Sequence, residues 1–464
     1  MIAKSTIEKV FESSRVEEVI GDFVQLKKSG SNYKGLSPFT EERTPSFMVS
    51  PAKQIWKDFS SGKGGTVVTF LMEHEHFTYP EAIKYLAKKY NIEVEETQKT
   101  SEQRLEDSER ESMYLITEYA KDYYQDNLLK SEEGKSIGLS YFKEREFTDE
   151  VIKKFQLGYS FNKSNHFSEE GLKKGYKLNF LEKTGLTIVK DDKNIDRFKG
   201  RVMFPILSMS GRVLGFGGRI LKSSKNIAKY INSPESLIYY KNKVLYGIFQ
   251  AKQSIVKEDN CFLVEGYTDV IKLHQKGIIN VVASSGTALT ENQIRLVSRL
   301  TKNITVLFDG DTAGSRAALR GIDIILEQGM NVRICNLPEG EDPDSFANSK
   351  QIDELKLFFK ENSKDFIKYK ASLLVDEADN DPVKKATVVR NMVESISKIS
   401  DQIKKEIYIK ECSSIMGISE QVLYSTLAQI QKKSFKKDIN ESKEYFDSFS
   451  IVKPDKNKKE INIL

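Results

Sequence analysis

Carboxylates follow three of the apolar, strand-like segments in the region 258–345. They are Glu265, Asp309, Asp311, Asp342 and Asp344. The alternation of apolar strands with amphipathic helices in this region predicts a parallel sheet, and ligands bind such sheets at the carboxyl ends of the strands. We therefore expect these carboxylates to lie together at one edge, where they would repel one another without a cation between them.

The types of these residues indicate which cation would fit. Asp309 and Asp311 are two positions apart and face the same side of an extended turn, and Gly310 between them permits close approach of the backbone. Oxygen ligands without His or Cys suit Mg²⁺ or Mn²⁺, and a two-metal site of this kind supports phosphoryl transfer. The alternative is that each acid only caps a helix or closes a turn, as a lone Asp after a strand often does.

A second feature is a basic window at residues 197–234. It contains eight basic residues and no acidic one, whereas the whole chain carries a net charge of only +5. The basic residues are Arg197, Lys199, Arg201, Arg212, Arg219, Lys222, Lys225 and Lys229. Because these residues are interspersed among apolar, strand-like runs, they suit a sheet face that binds a nucleic-acid backbone. The alternative is a solvated face without a binding role.

Composition limits the class of protein. The chain has 464 residues, of which 30% are charged and 39% hydrophobic, which predicts two to four globular domains. No apolar stretch is long enough to span a membrane, and the N-terminus lacks a secretory hydrophobic region. The three cysteines are far apart and form no CxxC pattern, so we expect no disulfide framework and a cytoplasmic location.

Changes in pattern divide the chain into segments and predict a multidomain α/β protein. Residues 1–95 combine helices with short strands, residues 113–257 pass from helices to strands and glycines, and residues 258–345 are the parallel α/β unit. The other predicted segments are a polar linker or exposed helix at 96–112, a helical region at 346–432 and a disordered, lysine-rich tail at 433–464.

Several of these segments resemble a known family. LVEGYTDVI, VASSGTALT, LFDGDTAGSRAA and LPEGEDPDSF resemble the segments of a Toprim domain. RFKGRVMFPI, GRVLGFGGR, KYINSPES and LYGI resemble the basic amino-terminal subdomain of the bacterial replicative primases of the DnaG type. This resemblance implies a zinc-ribbon-like module at 1–95, a basic polymerase subdomain at 113–257, a Toprim subdomain at 258–345 and a helical subdomain at 346–432.

The resemblance also implies an activity and residues that perform it. It implies a DNA-templated RNA polymerase that makes short RNA primers de novo on single-stranded DNA from ribonucleoside triphosphates. Glu265, Asp309 and Asp311 would be catalytic and hold Mg²⁺ or Mn²⁺, with Asp269, Asp342 and Asp344 as further metal ligands. Residues that would bind the template or the nucleotide are Arg145, Arg201, Arg219, Lys229, Tyr230 and Lys241.

The N-terminal module departs from the family pattern. The positions of the family's Cys and His zinc ligands are occupied here by Ser37, Thr40, Asp58 and Ser61. Hydroxyls are poor zinc ligands, so zinc is not expected. We instead expect this module to be held by the packing of aromatic side chains, namely Phe39, Phe47, Trp56, Phe59 and Phe70.

A second departure concerns the replicative helicase, which is an expected partner. The usual helicase-binding domain is predicted to be absent, because the tail after the helical region is short and polar. The chain is then either a fragment or contacts the helicase differently. Two other functions remain open from the sequence: another Toprim enzyme, such as a nuclease or topoisomerase subunit, and a non-catalytic nucleic-acid-binding protein.

Overall fold

The computed structural model describes residues 2–95, 101–221, 227–286, 288–308, 312–378 and 381–432. The chain divides into two compact units: Met1–Gly321 with Met330–Ser363, and Ile322–Gly329 with the chain from Lys364 onward. The predicted disordered tail at 433–464 lies outside the described residues. So do Lys222 and Lys225 of the basic window.

The N-terminal module is a five-stranded antiparallel sheet with helices packed on one face. Its elements are α1 (Lys4–Ser13), α2 (Val16–Gly21), β1 (Lys27–Ser29), β2 (Asn32–Gly35), β3 (Phe47–Ser50), β4 (Ile55–Asp58), β5 (Gly64–Gly65), α3 (Val67–His74) and α4 (Tyr79–Lys89). The strands pair in chain order. Phe47 and Trp56 stack with ring centroids 5.5 Å apart, and Phe70 meets Trp56 edge-on at 5.7 Å. This cluster forms the centre of the module's core.

One residue of the predicted aromatic core lies outside that core. Phe59 is 69% exposed, whereas Phe39 lies against the rings of Phe47 and Trp56. The reason is the alternation of side chains along a strand: in β4, Trp56 and Asp58 point inward, so the next residue, Phe59, points outward. The prediction that Phe59 belongs to the core is therefore wrong.

The second region of the first unit is built around a four-stranded antiparallel sheet. Its elements are α5 (Ser101–Lys130), a π-helical turn (Gly134–Leu139), α6 (Ser140–Glu144), α7 (Asp149–Lys154), β6 (Gly158–Ser160), α8 (His166–Lys173), α9 (Leu178–Lys183), β7 (Thr187–Lys190), β8 (Lys193–Asp196), β9 (Arg201–Leu207), β10 (Val213–Ile220), β11 (Tyr230–Asn232), a 3₁₀ turn (Lys241–Lys243) and α10 (Ile248–Lys257). The strand order is β11-β10-β9-β6. Every residue of β9 is buried, because helices and the next subdomain cover the sheet.

The predicted linker 96–112 is largely helical. Residues 101–112 form the first part of α5, and residues 96–100 lie outside the described residues. This agrees with the exposed-helix alternative for this polar segment. Arg212 on the flank of β10 donates to both carboxylate oxygens of Glu111 at 2.9 and 2.8 Å, which ties α5 to the sheet.

The third region is the parallel α/β subdomain. Its elements are β12 (Cys261–Val264), α11 (Tyr267–Gln275), β13 (Val281–Ala283), α12 (Glu291–Ser298), β14 (Asn303–Phe308), α13 (Thr312–Glu327), β15 (Asn331–Asn336), α14 (Pro343–Asn348) and α15 (Ile352–Asn362). The four strands are parallel in the order β13-β12-β14-β15. Their buried apolar runs and the helices between them are the predicted parallel α/β pattern.

Gly217 allows the antiparallel sheet to pack closely on the parallel subdomain. A Cβ atom at Gly217 would lie 2.4 to 2.6 Å from atoms of the Tyr267 side chain. The Tyr267 hydroxyl donates to Asn232 Oδ1 at 2.7 Å, and Asn232 Nδ2 donates to the carbonyl of Ser285 at 3.0 Å. The strand carrying Asn232 is therefore joined to the loop after β13.

The N-terminal module contacts the same unit through α10. Lys252 is 5% exposed, and its Nζ donates to the carbonyl of Glu75 at 3.1 Å and lies 3.4 Å from Glu75 Oε2. Arg299 donates to the carbonyl of His76 at 3.3 Å. A buried cation and a carboxylate thus link the end of α3 to the core.

The second unit is helical, as predicted. Its described elements outside α13 are β16 (Lys364–Asp365), α16 (Phe366–Ala378), α17 (Pro382–Lys398), α18 (Gln402–Met416) and a helical stretch at 420–432. Asp381 and Asp401 cap α17 and α18 by accepting backbone N–H bonds at 2.8 and 2.9 Å. Gly417 ends α18 with a φ of 66°, a conformation that favours glycine.

The three cysteines are free and buried. Within the described ranges, no helix combines the length and the apolar character needed to cross a bilayer.

Candidate active site

Glu265 lies directly after β12, at the carboxyl edge of the parallel sheet. The strand is largely buried, whereas the side chain of Glu265 is exposed. The Glu265 carbonyl accepts a hydrogen bond from the Ser285 N–H at 3.0 Å, and Ser285 has a left-handed φ of 56°. The ends of β12 and β13 therefore meet at one edge, with an exposed carboxylate beside them.

Two of the predicted metal ligands cap helices. Asp269 Oδ2 accepts the backbone N–H of Gly266 at 2.8 Å, at the start of α11. Asp342 Oδ1 accepts the backbone N–H of Ser345 at 2.7 Å, at the start of α14. Both acids thus have the structural role that the helix-cap alternative gave them, and their binding of metal stays a prediction.

Asp344 is buried among cations. Its carboxylate forms an ion pair with Arg145 and lies 3.9 Å from Nζ of Lys272. Lys272 also donates to the Arg145 carbonyl and to Asn348 Oδ1, the latter at 3.1 Å. Burial raises the pKa of Asp344, an effect opposed by the charges of Arg145 and Lys272. The charge of this carboxylate is therefore balanced by side chains of the protein itself.

Asp309 and Asp311 lie outside the described residues. The strand that precedes them, β14, ends at Phe308 and pairs in parallel with β12, so it ends at the same edge as Glu265. Within the part of the chain that the structure describes, no three His, Cys, Asp or Glu side chains are grouped closely enough to hold a metal ion.

Arg219, Lys229 and Tyr230 lie together at one end of the antiparallel sheet. Arg219 and Tyr230 are cross-strand partners on β10 and β11, and the Arg219 guanidinium carbon lies 5.9 Å from the Tyr230 ring centroid. Lys229 precedes Tyr230 and is exposed. The Tyr230 ring in turn lies 6.2 Å from the ring of Tyr267, two residues after Glu265. The basic end of the antiparallel sheet therefore lies close to the edge of the parallel sheet that carries Glu265.

Arg201 has a different environment from the other predicted phosphate ligands. It is 5% exposed, and its guanidinium donates to the carbonyls of Gly218, Ala228 and Lys229 at 3.1 to 3.2 Å. Burial lowers the pKa of Arg201. Its donors fix the segment that carries Lys229, and direct contact with template or nucleotide stays a prediction.

Lys241 is placed near the start of α12. It begins the 3₁₀ turn, where its N–H donates to Glu235 Oε1 at 2.9 Å and its carbonyl accepts from Gln293 Nε2 at 3.2 Å. These bonds use the backbone of Lys241, and its predicted nucleotide contact is untested.

The four positions of the predicted degenerate ribbon site are close together. Asp58 Oδ2 accepts hydrogen bonds from the hydroxyls of Ser37, at 2.9 Å, and Ser61. Thr40 Oγ1 lies 2.6 Å from Oγ of Ser60, a neighbouring hydroxyl. Although burial raises the pKa of Asp58, the hydroxyls of Ser61 and Ser37 bring it below its ordinary value. A charged carboxylate surrounded by hydroxyls occupies the site.

Sequence reasoning missed Tyr141 and Lys272. The Tyr141 ring lies 4.5 Å from the Arg219 guanidinium carbon and 5.4 Å from that of Arg145. The spacing of Tyr141 and Arg145, four residues apart in a helical segment, is a signal that could have identified the first. For Lys272, the signal is a lysine within the apolar run VIKL of α11.

Family models match four parts of the chain. They describe a CHC2 zinc finger at residues 2–102, the N-terminal domain of the DNA primase catalytic core at 123–252, a Toprim-like domain at 262–347 and the DnaB-helicase binding domain of primase at 369–421.

Whole-chain comparisons point the same way. A DNA primase of Clostridium acetobutylicum is 38% identical over 437 residues, covering 93% of this chain and 71% of the relative. One from Staphylococcus aureus is 36% identical over 428 residues, covering 91% and 70%. The structure of the zinc-binding and RNA polymerase domains of the Aquifex aeolicus primase matches with a TM-score of 0.61 and 32% identity, covering 90% of this chain and 98% of that one. A DnaG primase catalytic domain bound to single-stranded DNA matches with a TM-score of 0.62 and 29% identity, covering 68% and 99%.

The zinc-finger match corrects one expectation. Because residues 2–102 match the CHC2 zinc finger, the statement that zinc is not expected is wrong, and the match points to zinc binding. The donors at Ser37, Thr40, Asp58 and Ser61 are oxygens that hydrogen-bond among themselves and their neighbours, which does not fit a site made of thiolates and imidazole.

The helicase-binding match corrects another expectation. Residues 369–421 match the helicase-binding domain of primase, so the prediction that this domain is absent is wrong. The match falls on α16, α17 and α18, which lie within the helical subdomain predicted at 346–432.

Proposed function

Because this chain belongs to the bacterial DNA primases of the DnaG type, we propose that its carboxylate edge and its basic sheet end form one polymerase site. The carboxylate edge is the set of carboxyl ends of β12 to β15, and the basic sheet end is the cluster of Arg219, Lys229 and Tyr230. The chain is a DNA primase, an RNA-polymerase-type nucleotidyltransferase. The observation that carries the site assignment is the contact of Tyr230, at the basic sheet end, with Tyr267, two residues after Glu265.

We assign Glu265, Asp309 and Asp311 as the residues that hold Mg²⁺ or Mn²⁺, with Asp269, Asp342 and Asp344 supporting them. The exposed carboxylate of Glu265 fits this role, since it offers hard oxygen donors at a strand end. When bound, such ions supply Lewis-acid stabilisation of the transferred phosphoryl group. Asp269 and Asp342 also support the carboxylate edge by capping α11 and α14, which fixes the starts of these two helices.

The basic residues bind phosphates. Arg219 and Lys229 present cationic donors beside the carboxylate edge, and guanidinium and ammonium groups are suited to phosphate oxygens. Arg145, held by Asp344, and Lys241 are further candidates. Arg201 acts as a positioning residue, because it donates to the Lys229 carbonyl rather than to solvent. The bound polyanions are the single-stranded DNA template, the ribonucleoside triphosphate and the growing RNA primer.

The function is tested by de novo synthesis. The protein is incubated with unprimed single-stranded DNA, four ribonucleotides and Mg²⁺ or Mn²⁺, and labelled product is separated on a gel. We expect short RNA whose sequence follows the template, and none when EDTA is present. Shortening of labelled template without RNA product would instead identify a nuclease, and binding without either product a non-catalytic role.

We further propose that the matched residues 369–421 bind the replicative helicase, and that the chain works in the cytoplasm. Two exposed isoleucines lie one turn apart on α18: Ile403 is 73% and Ile407 59% exposed. Such a pair on one helix face suits the apolar part of a protein interface.

The change Ile403→Asp with Ile407→Asp should therefore weaken helicase binding by roughly 10-fold or more. Primer synthesis on bare single-stranded DNA should not change, because neither residue belongs to the polymerase site. Leu115→Asp is the matched control: this leucine is 63% exposed on α5, outside the matched segment. Binding is measured by interferometry with immobilised helicase. Parental affinity in the double variant would contradict the assignment.

A further inference from the structure

The Tyr141 ring contacts two guanidinium groups. Tyr141 is on α6, and Arg145 follows the end of that helix. The guanidinium carbon of Arg145 is 5.4 Å from the ring centroid and that of Arg219, on β10, is 4.5 Å away. Both distances are within the range of cation–π attraction. One ring therefore brings together two cations from segments far apart in sequence.

The two cations differ in how their charge is balanced. Arg145 pairs with the carboxylate of Asp344. Arg219 forms no ion pair with a carboxylate among the described residues, and its Nε is buried without an acceptor. Two neighbouring cations with only one paired acid leave an excess of positive charge, and this excess favours binding of an anion.

The pair of Arg212 and Tyr114 is an example of an arginine–tyrosine contact with a purely structural role. The Arg212 guanidinium carbon lies 3.6 Å from the centroid of Tyr114, but Glu111 accepts from both of its terminal nitrogens. Arg212 is thus paired with a carboxylate, whereas the side-chain contacts of Arg219 among the described residues are with the ring faces of Tyr141 and Tyr230. A ring face attracts a guanidinium without using its in-plane N–H donors, which stay available for the oxygens of a phosphate.

The position of this pair indicates which phosphate it meets. Arg219 also faces the Tyr230 ring, which lies 6.2 Å from Tyr267 at the start of α11, just after Glu265. Arg145 pairs with Asp344 on α14, another element at the carboxylate edge. Burial raises the pKa of the Tyr141 phenol, so the ring remains neutral beside the two cations.

We propose that Tyr141 is a positioning residue whose ring holds Arg219 ready for a phosphate group of the incoming ribonucleoside triphosphate. This rests on the polymerase site proposed above. Tyr141 itself does not touch the reacting atoms. It acts by keeping the guanidinium of Arg219 in one orientation before the nucleotide arrives, which lowers the entropy cost of binding.

The test compares Tyr141→Leu with Tyr141→Phe and with Tyr114→Leu. Tyr141→Leu removes the ring and should raise KM for ribonucleotides by roughly 5- to 30-fold, with kcat and single-stranded DNA affinity within about twofold of the parent. Tyr141→Phe keeps the ring and should behave like the parent. Tyr114→Leu, which removes the ring beneath the acid-paired Arg212, should not alter KM.

Arg219→Gln provides the second arm, which stays informative even if Tyr141→Leu lowers the melting temperature. If Tyr141 acts through Arg219, adding Tyr141→Leu to Arg219→Gln should cause no further rise in KM. Full additivity of the two changes, an unchanged KM in Tyr141→Leu, or weaker DNA binding at unchanged KM would each overturn the proposal. Failure of the proposed polymerase function can be told apart from failure of this proposal. In the first case the parental protein itself would make no template-directed RNA.

Discussion

Replacement of Glu265 by Ala is expected to reduce primer synthesis by roughly 100-fold or more, since even residues that only support a metal ligand cost 10- to 100-fold when lost. The carboxylate is exposed at a strand end, and the described residues give it no side-chain hydrogen bond. The fold should consequently be almost unaffected, within about 0.5 kcal/mol in the free energy of unfolding. The measurements are RNA product per unit time and a thermal melt in EDTA.

Glu258 provides the matched control. It is exposed like Glu265 but precedes β12, so the same strand separates the two carboxylates. Glu258→Ala should retain parental synthesis. If Glu265→Ala still makes RNA at the parental rate, the carboxylate has no part in the mechanism. If it melts far below the parent, its role is structural.

Replacement of Asp344 by Ala is expected to lower both activity and stability, unlike the change at Glu265. Lys272 is 1% exposed and lies 3.9 Å from the Asp344 carboxylate. Removal of the acid leaves a buried ammonium and Arg145 without their counter-charge, which we expect to cost about 3 kcal/mol of unfolding free energy. Thermal melting and primer synthesis are measured on the same preparation.

Two further variants identify the cause of the stability loss expected for Asp344→Ala. Asp342→Ala, at the N-cap of the helix that carries Asp344, removes a helix cap without leaving a buried cation unpaired and should cost about 1 kcal/mol of stability. Combining Asp344→Ala with Lys272→Met removes the unpaired cation and should restore part of the lost stability, although not the lost activity. A single Asp344→Ala variant as stable as the parent would show that the buried ion pair does not stabilise the subdomain.

The parallel sheet and the position of Glu265 could be predicted because both depend on local patterns. Short apolar runs followed by an acid and a glycine predict a strand and its end, and the parallel order then brings those ends to one edge. The ion pair of Arg145 and Asp344 could not be predicted, since the two residues are 199 positions apart in sequence. Only the packing of α6 against the parallel subdomain brings them together.

The burial of individual side chains was also difficult to predict from the sequence. Arg201 begins a strand that is buried on both faces, so alternation of side chains gives no indication of which way an arginine points. The charge suggested a phosphate contact, whereas the side chain turns inward to three backbone carbonyls. At Phe59 the sequence misjudged burial outright, because this aromatic residue was taken for core but follows the outward phase of β4.

The two overturned expectations share a cause. Both relied on a missing local signal, the Cys and His ligands in one case and a recognisable motif after the polymerase in the other. The family models instead match the whole framework of residues 2–102 and 369–421. Amphipathic helices such as α17 carry little that distinguishes one partner-binding module from another helical subdomain.

The close packing of Gly217 against Tyr267 limits how these subdomains can be exchanged between relatives. Any side chain at position 217 would meet the tyrosine at 2.4 to 2.6 Å, and the tyrosine hydroxyl is already committed to Asn232. A chimera that takes the parallel subdomain from one primase and the antiparallel sheet from another must bring a glycine, an asparagine and a tyrosine that match. Where these three residues differ between two relatives, the two subdomains have to be exchanged together.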